Sequence, residues 1–550
     1  MSRTAEQMNN TLLLSRGIRV PVSFHDAAYH DQLALSAARK KYRRILQNKF
    51  GEAEFTVYKK SIDARDRENI VLLYTVAACP KTAPGSALLE TLPRAFEQTR
   101  VYEPDFSAFQ CAPGNDERPV VVGFGPSGLF CAYALAKAGM APVILERGDD
   151  VDVRTEKVQT YWTHGHLDEE SNVQFGEGGA GTFSDGKLLT RISDPLCGYV
   201  LRTLRDFGAP EEICTLAKPH VGTDRLRALV KRMREEIVRL GGTVLFRTRF
   251  TGFVKDAAGR IHAVRTPGGE IPCSALFLCI GHSARDTFED LMKYGVVISP
   301  KPFSVGVRAE HAQADIDRAL YGRFAGCETL GAAQYTLSAK KDGRAVYSFC
   351  MCPGGVVVAS ASRAGEIVTN GMSYYARDGR NANSAIAVSV EPADYGNTVA
   401  GAIAFQKRIE TAAFSLAGAD GAAPIQLLGD FLAGGGHTEP GRVAPTYTGK
   451  TKLCNIGALF PESIRQTLAF GFGMFEKHIS GFSAPDTVLT APETRTSSPV
   501  RIERDASGAA LSVSNLYPCG EGAGYAGGIT SAAVDGLKSA LRYLEAKAQI

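Results

Sequence analysis

An α/β fold is predicted by three stretches of this 550-residue chain. The first is Arg118-Pro-Val-Val-Val-Gly-Phe-Gly-Pro-Ser-Gly128, an apolar strand that turns through glycines into the apolar helix Leu129–Ala138. The second is Leu516-Tyr-Pro-Cys-Gly-Glu521, a strand followed by a run of very small residues and a helix beginning near Ile529. The third is Ala275-Leu-Phe-Leu-Cys-Ile-Gly-His282, an unbroken apolar run of the kind buried on both faces of a parallel sheet. Together they predict a Rossmann-like nucleotide-binding domain split in sequence, residues 115–300 and 445–550. Between the halves, 301–444 alternates in the β manner (Phe303–Ala309, Ala345–Met351, Val356–Ser360, Ile386–Val390), with a helix at Tyr395–Leu416. It reads as an inserted, mainly β cap or substrate domain. Residues 1–111 read as a small α+β domain.

In chain order, residues 11–23, 54–62 and Asn69–Cys79 are expected strands and Tyr29–Asn48 a helix, giving βαββ, closed by the polar stretch Ala112–Glu117. The helix puts Leu35, Ala38, Tyr42 and Ile45 on one face. Arg39, Lys40, Lys41, Arg43 and Arg44 occupy the rest, and the pairs Arg39/Arg43 and Lys40/Arg44 repel at i,i+4. Lys59, Lys60, Arg65 and Arg67 extend the patch. This is either a solvated basic face or an anion site for a nucleotide, an RNA phosphate or an acidic partner. The chain's net charge of +4 lies in residues 1–110, and the remainder is neutral.

The turn Gly123-Phe-Gly125-Pro126-Ser127-Gly128 has the spacing a pyrophosphate requires. Gly123 permits the tight turn, Gly125 lets backbone approach the phosphates, and Gly128 with Ala132 lets helix and sheet pack. The helix start offers unpaired N–H groups and partial positive charge. Glu146, closing the strand Pro142–Leu145 ahead of Arg147, is placed to accept hydrogen bonds from an adenosine ribose. A second site so far along the chain suits a longer dinucleotide, FAD. Glu521 after Gly520 would hold a ribityl hydroxyl, and the helix start at Gly527, Gly528 and Ile529 would face the flavin edge where charge accumulates on reduction. Gly281 ends the third strand. Neither Gly434-Gly-Gly436 nor Gly471-Phe-Gly473 repeats the fingerprint, so NAD(P)H is expected only as a transient reductant without a domain of its own.

Several further stretches, with the N-terminal segment, extend the likeness over essentially the whole chain: Trp162–Asp168, Asn172–Lys187, Lys218–Asp224, Phe303–His311 and Ser348–Gly355. They resemble single-dinucleotide-domain members of the glutathione-reductase-like FAD superfamily, and are most similar to its family of FAD-dependent dehydrogenases or FAD-dependent proteins of largely unknown substrate. The resemblance implies FAD and redox chemistry. It implies that Gly176–Lys187 runs beside the pyrophosphate and flavin, with Thr182 and Ser184 donating hydrogen bonds and Lys187 near flavin or substrate charge. Arg249–Phe250 is expected near the adenine. Glu521 departs from the aspartate common in the superfamily.

Residues suited to chemistry are few. Cys350 and Cys352 share a strand face at i,i+2 and are either a redox dithiol or two small buried hydrophobes. Of the histidines in glycine-rich or family-like settings (His164, His166, His220, His282, His437), His220 and His437 are the better expected proton carriers, and Arg308 an expected carboxylate clamp. No spacing suits a metal, a P-loop or a nucleophile elbow. With 44% hydrophobic and 22% charged residues the composition is that of an ordinary globular protein. Twelve irregularly spaced cysteines suggest no disulfide framework, and a polar Met1–Asn10 no signal peptide, so a cytoplasmic setting is expected. The expected function is an FAD-dependent oxidoreductase passing hydride or electrons through flavin N5. Its alternatives are a flavin-dependent RNA-modifying protein using the basic N-terminal domain, and a non-catalytic flavin-binding scaffold or regulator.

Overall fold

The computed structural model describes residues 11–46, 51–81, 89–109 and 118–548. The expected N-terminal tail Met1–Asn10, the last two residues of the expected first helix and the linker Ala112–Glu117 lie outside them. The chain forms two compact units: Met1–Pro104 with Arg191–His220 and Asp317–Ala333, and Asp105–Thr190 with Val221–Ile316 and Gln334–Ile550.

The smaller unit carries β1 (Thr11–Pro21), α1 (Ala27–Leu46), β2 (Ala53–Asp63), β3 (Val71–Pro80) and β4 (Glu97–Arg100). They form an antiparallel sheet of order β2-β3-β1-β4. The order of elements is therefore βαβββ, not βαββ. The polar Glu-Gln-Thr-Arg of β4 carries no strand periodicity, and it pairs only with β1 at the sheet edge. Helix α1 buries His30, Ala34, Ala38, Tyr42 and Leu46, every fourth residue, while Leu35 and Ile45 stay half-buried at its flanks. Tyr42 and Leu46 join Leu13, Ala78 and Phe96 in the core of this unit. Two later chain segments complete it. Lys60 exchanges backbone hydrogen bonds with Thr215 and Ala217, both 2.8 Å, and Phe24 stacks on Phe324 at 6.0 Å. Segments 191–220 and 317–333 thus belong here, not to the domains expected from sequence.

The larger unit runs β5 (Val120–Val122), α2 (Pro126–Lys137), β6 (Val143–Leu145), α3 (Val151–His164), α4 (Thr223–Arg239) and β7 (Thr243–Leu245). There follow β8 (Gly252–Lys255), β9 (Ile261–Thr266), β10 (Gly269–Pro272), β11 (Leu276–Leu278), α5 (Arg285–Lys293) and β12 (Ile298–Pro300). Next come β13 (Phe303–Ala312), β14 (Ser338–Lys341), β15 (Arg344–Ala359), β16 (Thr369–Met372), β17 (Asn381–Val390) and α6 (Val399–Leu416). The chain closes with β18 (Ala423–Leu427), β19 (Thr451–Leu453), α7 (Glu462–Glu476), β20 (Val488–Glu493), β21 (Val500–Ile502), β22 (Leu516–Pro518) and α8 (Ile529–Ala548). Five strands make a parallel sheet, β22-β11-β5-β6-β7, all apolar in their middles as strands covered on both faces must be. Helix α8 crosses the start of α2 so closely that a Cβ on Gly536 would stand 2.1 Å from the Ser127 carbonyl oxygen.

The second large sheet, antiparallel but for the β18–β19 pair, has the order β14-β15-β17-β13-β20-β18-β19, with β16 on β15. The boundary expected at 444/445 is corrected by this sheet, because β19 and β20 pair within it: Thr490 of β20 faces both Arg308 of β13 and Ile425 of β18. The helix expected at Tyr395–Leu416 is interrupted at Gly396 and Asn397, both at positive φ, and restarts with Thr398 capping the Gly401 N–H at 3.0 Å. No helix among the described residues is long and apolar enough to cross a membrane.

Candidate functional site

The larger unit contains a cavity bounded by the carboxyl ends of the parallel strands and by residues of the antiparallel sheet. One wall is the turn after β5. Gly123, at φ +92, lies so close to the next strand that a Cβ would meet the Cys279 carbonyl oxygen at 2.5 Å. Gly128 is equally constrained, its Cβ falling 1.9 Å from the Gly123 oxygen. Gly125 differs. It has ordinary φ (−77°), and a Cβ there would make only normal contact, 3.5 Å from Gly179. What Gly125 leaves open is the cavity itself, beside the N-terminus of α2, whose N-cap has no side-chain hydrogen bond and whose first position is Pro126. Those first-turn N–H groups are the donors an anionic group would take.

Glu146 lies in the same wall with its carboxylate almost fully occupied. Oε2 accepts the Phe124 N–H, and Oε1 accepts those of Gly148 and Gly176, each at 2.9 Å. A carboxylate has about four acceptor positions, so one remains, at Oε2. Arg147 is bidentate to Glu170 and reaches Asp286 at 2.9 Å, with its guanidinium 4.1 Å from the Phe175 ring. These residues fix the shape of this wall. Phe250 and Glu521 also line the cavity, as do Gly281, Gly528 and Ile529.

Towards the antiparallel sheet the lining turns ionic. Lys187 Nζ lies 2.5 Å from Asp185 Oδ2, and Arg377 grips the same carboxylate through Nε at 2.8 Å. Burial would raise the Asp185 pKa, but the two cations outweigh it and hold it below the usual range. Burial opposes the Lys187 charge too, yet Asp185 and the thiols of Cys352 and Cys350 raise its pKa. Cys350 faces the cavity, and its pKa is lowered first by a hydrogen bond from Cys352, against burial, and then by Lys187 and Arg308. His282 lines the cavity after β11, its Nε2 2.9 Å from the Arg495 carbonyl oxygen, and burial lowers its pKa. The Arg495 side chain bonds Glu366 and Glu410, both at 3.0 Å, and Ser283 at 3.2 Å.

Of the residues expected from sequence, the structure gathers Gly123, Gly125, Pro126, Ser127, Glu146, Arg147, Ser184, Lys187, Phe250, Gly281, Glu521, Gly528, Ile529 and Cys350 around this cavity. Gly128, Thr182, Gly520 and Gly527 do not line it. Thr182 is buried with its carbonyl accepting the Thr223 hydroxyl at 2.7 Å, and Gly520 donates to Asp535 at 2.7 Å. Three chemical assignments need correction. Arg308 is fully buried and bound to Glu493 by two hydrogen bonds, which leaves it no role as a clamp. His437 is exposed on the loop after Leu428–Leu432, outside the lining. His220 is part of the smaller unit and also outside the lining. The histidine at the cavity is His282. Its position directly after the third apolar strand and Gly281 was the signal for it. Gln174, Asn370, Glu493 and Arg495 were not legible as cavity residues, since loops and distant strands bring them in.

The residues present fit FAD. An uncapped helix start, a glycine held free of side-chain contact and a carboxylate with one open acceptor position face one space, and the start of α8 faces it as well. Residues 302–496 match the family described as FAD-dependent protein, C-terminal domain-like. An uncharacterized protein of Clostridium beijerinckii is 45% identical over 515 residues, covering 92% of this chain and 95% of its own length. Among solved structures, the flavin-dependent brominase Bmp2 aligns at TM-score 0.37 and 12% identity, over 79% of each chain. Glycine oxidase from Geobacillus kaustophilus aligns at TM-score 0.32 and 12% identity, over 78% of this chain and 93% of that one. The extent of the Clostridium match and the matched domain together place the chain: it belongs to the family of FAD-dependent proteins.

Proposed function

We propose that the protein is an FAD-dependent oxidoreductase that exchanges hydride or electron pairs with a substrate held under the antiparallel sheet. The observation that carries this reading is the single cavity in which Gly125, Glu146, Glu521 and the start of α8 are joined by Lys187, His282 and Cys350. Bound FAD supplies hydride and electron transfer at its N5. The chain's own residues supply the rest. The first turn of α2 binds the pyrophosphate, Glu146 orients the ribose, and Lys187 keeps a positive charge against developing negative charge. His282, with burial lowering its pKa, is suited to hold or pass a proton in its neutral form. Residues of β15, β16 and β20 cover the cavity and exclude water.

NADH or NADPH is proposed as a transient reductant. Under anaerobic conditions, protein carrying FAD is mixed with each nucleotide and the flavin absorbance followed. Bleaching by one of them supports the reading. Stoichiometric FAD that no nucleotide, dithiol or small-molecule donor reduces would favour a structural role for the cofactor.

A contact with an anionic partner is supported by Arg39, Lys40, Arg43 and Arg44, which are exposed along α1. RNA is one such partner, and its test is salt-sensitive retention by the protein.

A further inference from the structure

Five cysteines of the larger unit, of which Cys279 and Cys350 line the cavity, differ sharply in setting. Cys131, Cys279 and Cys519 are buried in the parallel-sheet layer, and burial raises the pKa of each. Cys350 and Cys352 stand on β15 at its most distorted point. The pairing of β15 with β17 breaks register between Phe349 and Cys352, and Cys350 takes φ +45. A positive φ costs a residue with a Cβ, and such strain persists where the surroundings enforce it. Here they do: the Cys350 carbonyl oxygen accepts Arg308 Nη1 at 3.0 Å, and Arg308 is locked by Glu493 and Asn383.

The distortion brings the thiols together. In a regular strand, Cα atoms two residues apart stand roughly 6.6 Å from each other, near the upper limit of about 6.8 Å for a disulfide. At this bulge the strand is not regular, and the two side chains touch. Cys352 is fully buried, its sulfur 3.3 Å from the Cys350 carbonyl oxygen and in hydrogen-bond contact with the Cys350 side chain. It also packs against Gly371, where a Cβ would stand only 2.9 Å from the sulfur. Cys350 is the half-buried member and lines the cavity, with Lys187 and Arg308 as the nearby cations.

We propose that Cys350 and Cys352 are a redox-active pair that exchanges with disulfide compounds entering the cavity, Cys350 attacking and Cys352 resolving. This names a substrate class for the oxidoreductase reading and rests on it only for the source of electrons. The Cys350 thiolate attacks one sulfur of the incoming disulfide, forming a mixed disulfide and expelling the first thiol. The Cys352 sulfur then attacks the Cys350 sulfur, its proton passing to the departing thiolate, which closes the Cys350–Cys352 bond and expels the second thiol. Two electrons and two protons, delivered by a reduced flavin or a dithiol, reopen the pair. The net change is one disulfide reduced to two thiols.

The test uses the purified chain, with its FAD and after FAD removal, equilibrated in graded mixtures of reduced and oxidised glutathione. Free thiols are then trapped by alkylation, and the peptide carrying both cysteines is weighed. The expected result is a Cys350–Cys352 disulfide, lighter by two hydrogens, forming in mixtures that leave Cys131, Cys279 and Cys519 reduced. Cys352→Ser should instead accumulate a glutathione adduct on Cys350. In the FAD-loaded protein, anaerobic reduction should take up two electrons beyond those of the flavin, an excess that Cys350→Ser abolishes. If the wild-type peptide keeps both thiols in every mixture, the proposal falls, whatever the FAD content. FAD content is measured on the same samples. A pair that closes in protein unable to hold FAD would remove the FAD reading and leave the dithiol standing.

Discussion

Arg308 and Glu493 hold each other across adjacent strands, Nε to Oε2 at 3.1 Å and Nη2 to Oε1 at 2.5 Å, with both side chains removed from solvent. Removing one member leaves the other charge buried and unmatched, which typically costs about 3–5 kcal/mol. Glu493→Gln should therefore lower the thermal unfolding midpoint strongly. The double variant Arg308→Met/Glu493→Gln should recover part of the loss. A double variant no more stable than the single one would mean the two side chains are not energetically coupled.

Two glycines in one loop should behave oppositely. Gly125→Val should fold and lose FAD, since the added side chain enters the cavity and not the protein. Gly128→Ala should fold poorly, since its methyl group collides with the Gly123 carbonyl oxygen. Circular dichroism and flavin absorbance separate the two. A folded Gly125→Val protein with stoichiometric FAD would displace the pyrophosphate from this turn.

Glu146→Ala should act twice. It orphans the N–H groups of Phe124, Gly148 and Gly176, and it removes the acceptor proposed for the ribose. Hydrogen bonds to charged groups are worth about 1.5–3 kcal/mol, so FAD dissociation should rise roughly 10- to 100-fold. The apoprotein should also melt earlier. Weaker FAD binding with an unchanged apoprotein melting point would contradict the three backbone bonds.

Glu177 gives a pH signature. Burial raises its pKa from 4.5 to about 7, against the attraction of Arg234. The unfolded chain then loses this proton at lower pH than the folded one. The group's contribution is most favourable below pH 4.5 and falls as pH rises, levelling off above about 7. Glu177→Gln should therefore gain stability relative to wild type across that window, by at most roughly 3 kcal/mol at about 1.4 kcal/mol per pKa unit. Melting curves at pH 5 and pH 8 test it, and a difference independent of pH would place the Glu177 pKa outside the window.

Changing Arg39, Lys40, Arg43 and Arg44 to glutamine should leave FAD content and the flavin spectrum intact. It should weaken retention on an anionic matrix or RNA, with a shallower salt dependence. Loss of FAD from an otherwise folded variant would show that the smaller unit helps to form the cofactor site.

The cofactor half of the site was readable because it is local. Gly123, Gly125 and Glu146 belong to one strand–helix–strand unit whose chemistry is written in adjacent residues. Glu521 was readable for the same reason, lying between β22 and α8. The wall from the second sheet depends on pairings over long sequence separations. Arg308 looked like a free cation until β20 brought Glu493 beside it, and nothing near residue 308 announces that partner. The choice of His437 over His282 failed similarly: glycine-rich surroundings mark a loop, whereas position after a central strand marks the end of the sheet where ligands gather. Strand β4 stayed hidden because an edge strand of polar residues has no hydrophobic alternation to read.

The smaller unit draws on three separated stretches, so its folding cannot finish as its N-terminal strands leave the ribosome. His25 and Ser23 wait for Thr329 and Cys327, whose hydroxyl and thiol reach their carbonyl oxygens at 2.7 and 3.6 Å. Lys60 waits for residues 215–217. Until residue 333 has been synthesised, this sheet lacks partners that only later translation provides, and any chaperone that shields it must stay through more than half the chain. A fragment cut at residue 111 would keep every strand of the sheet and still lack the segments that complete it, so expressing it alone should yield an incompletely closed domain prone to aggregation.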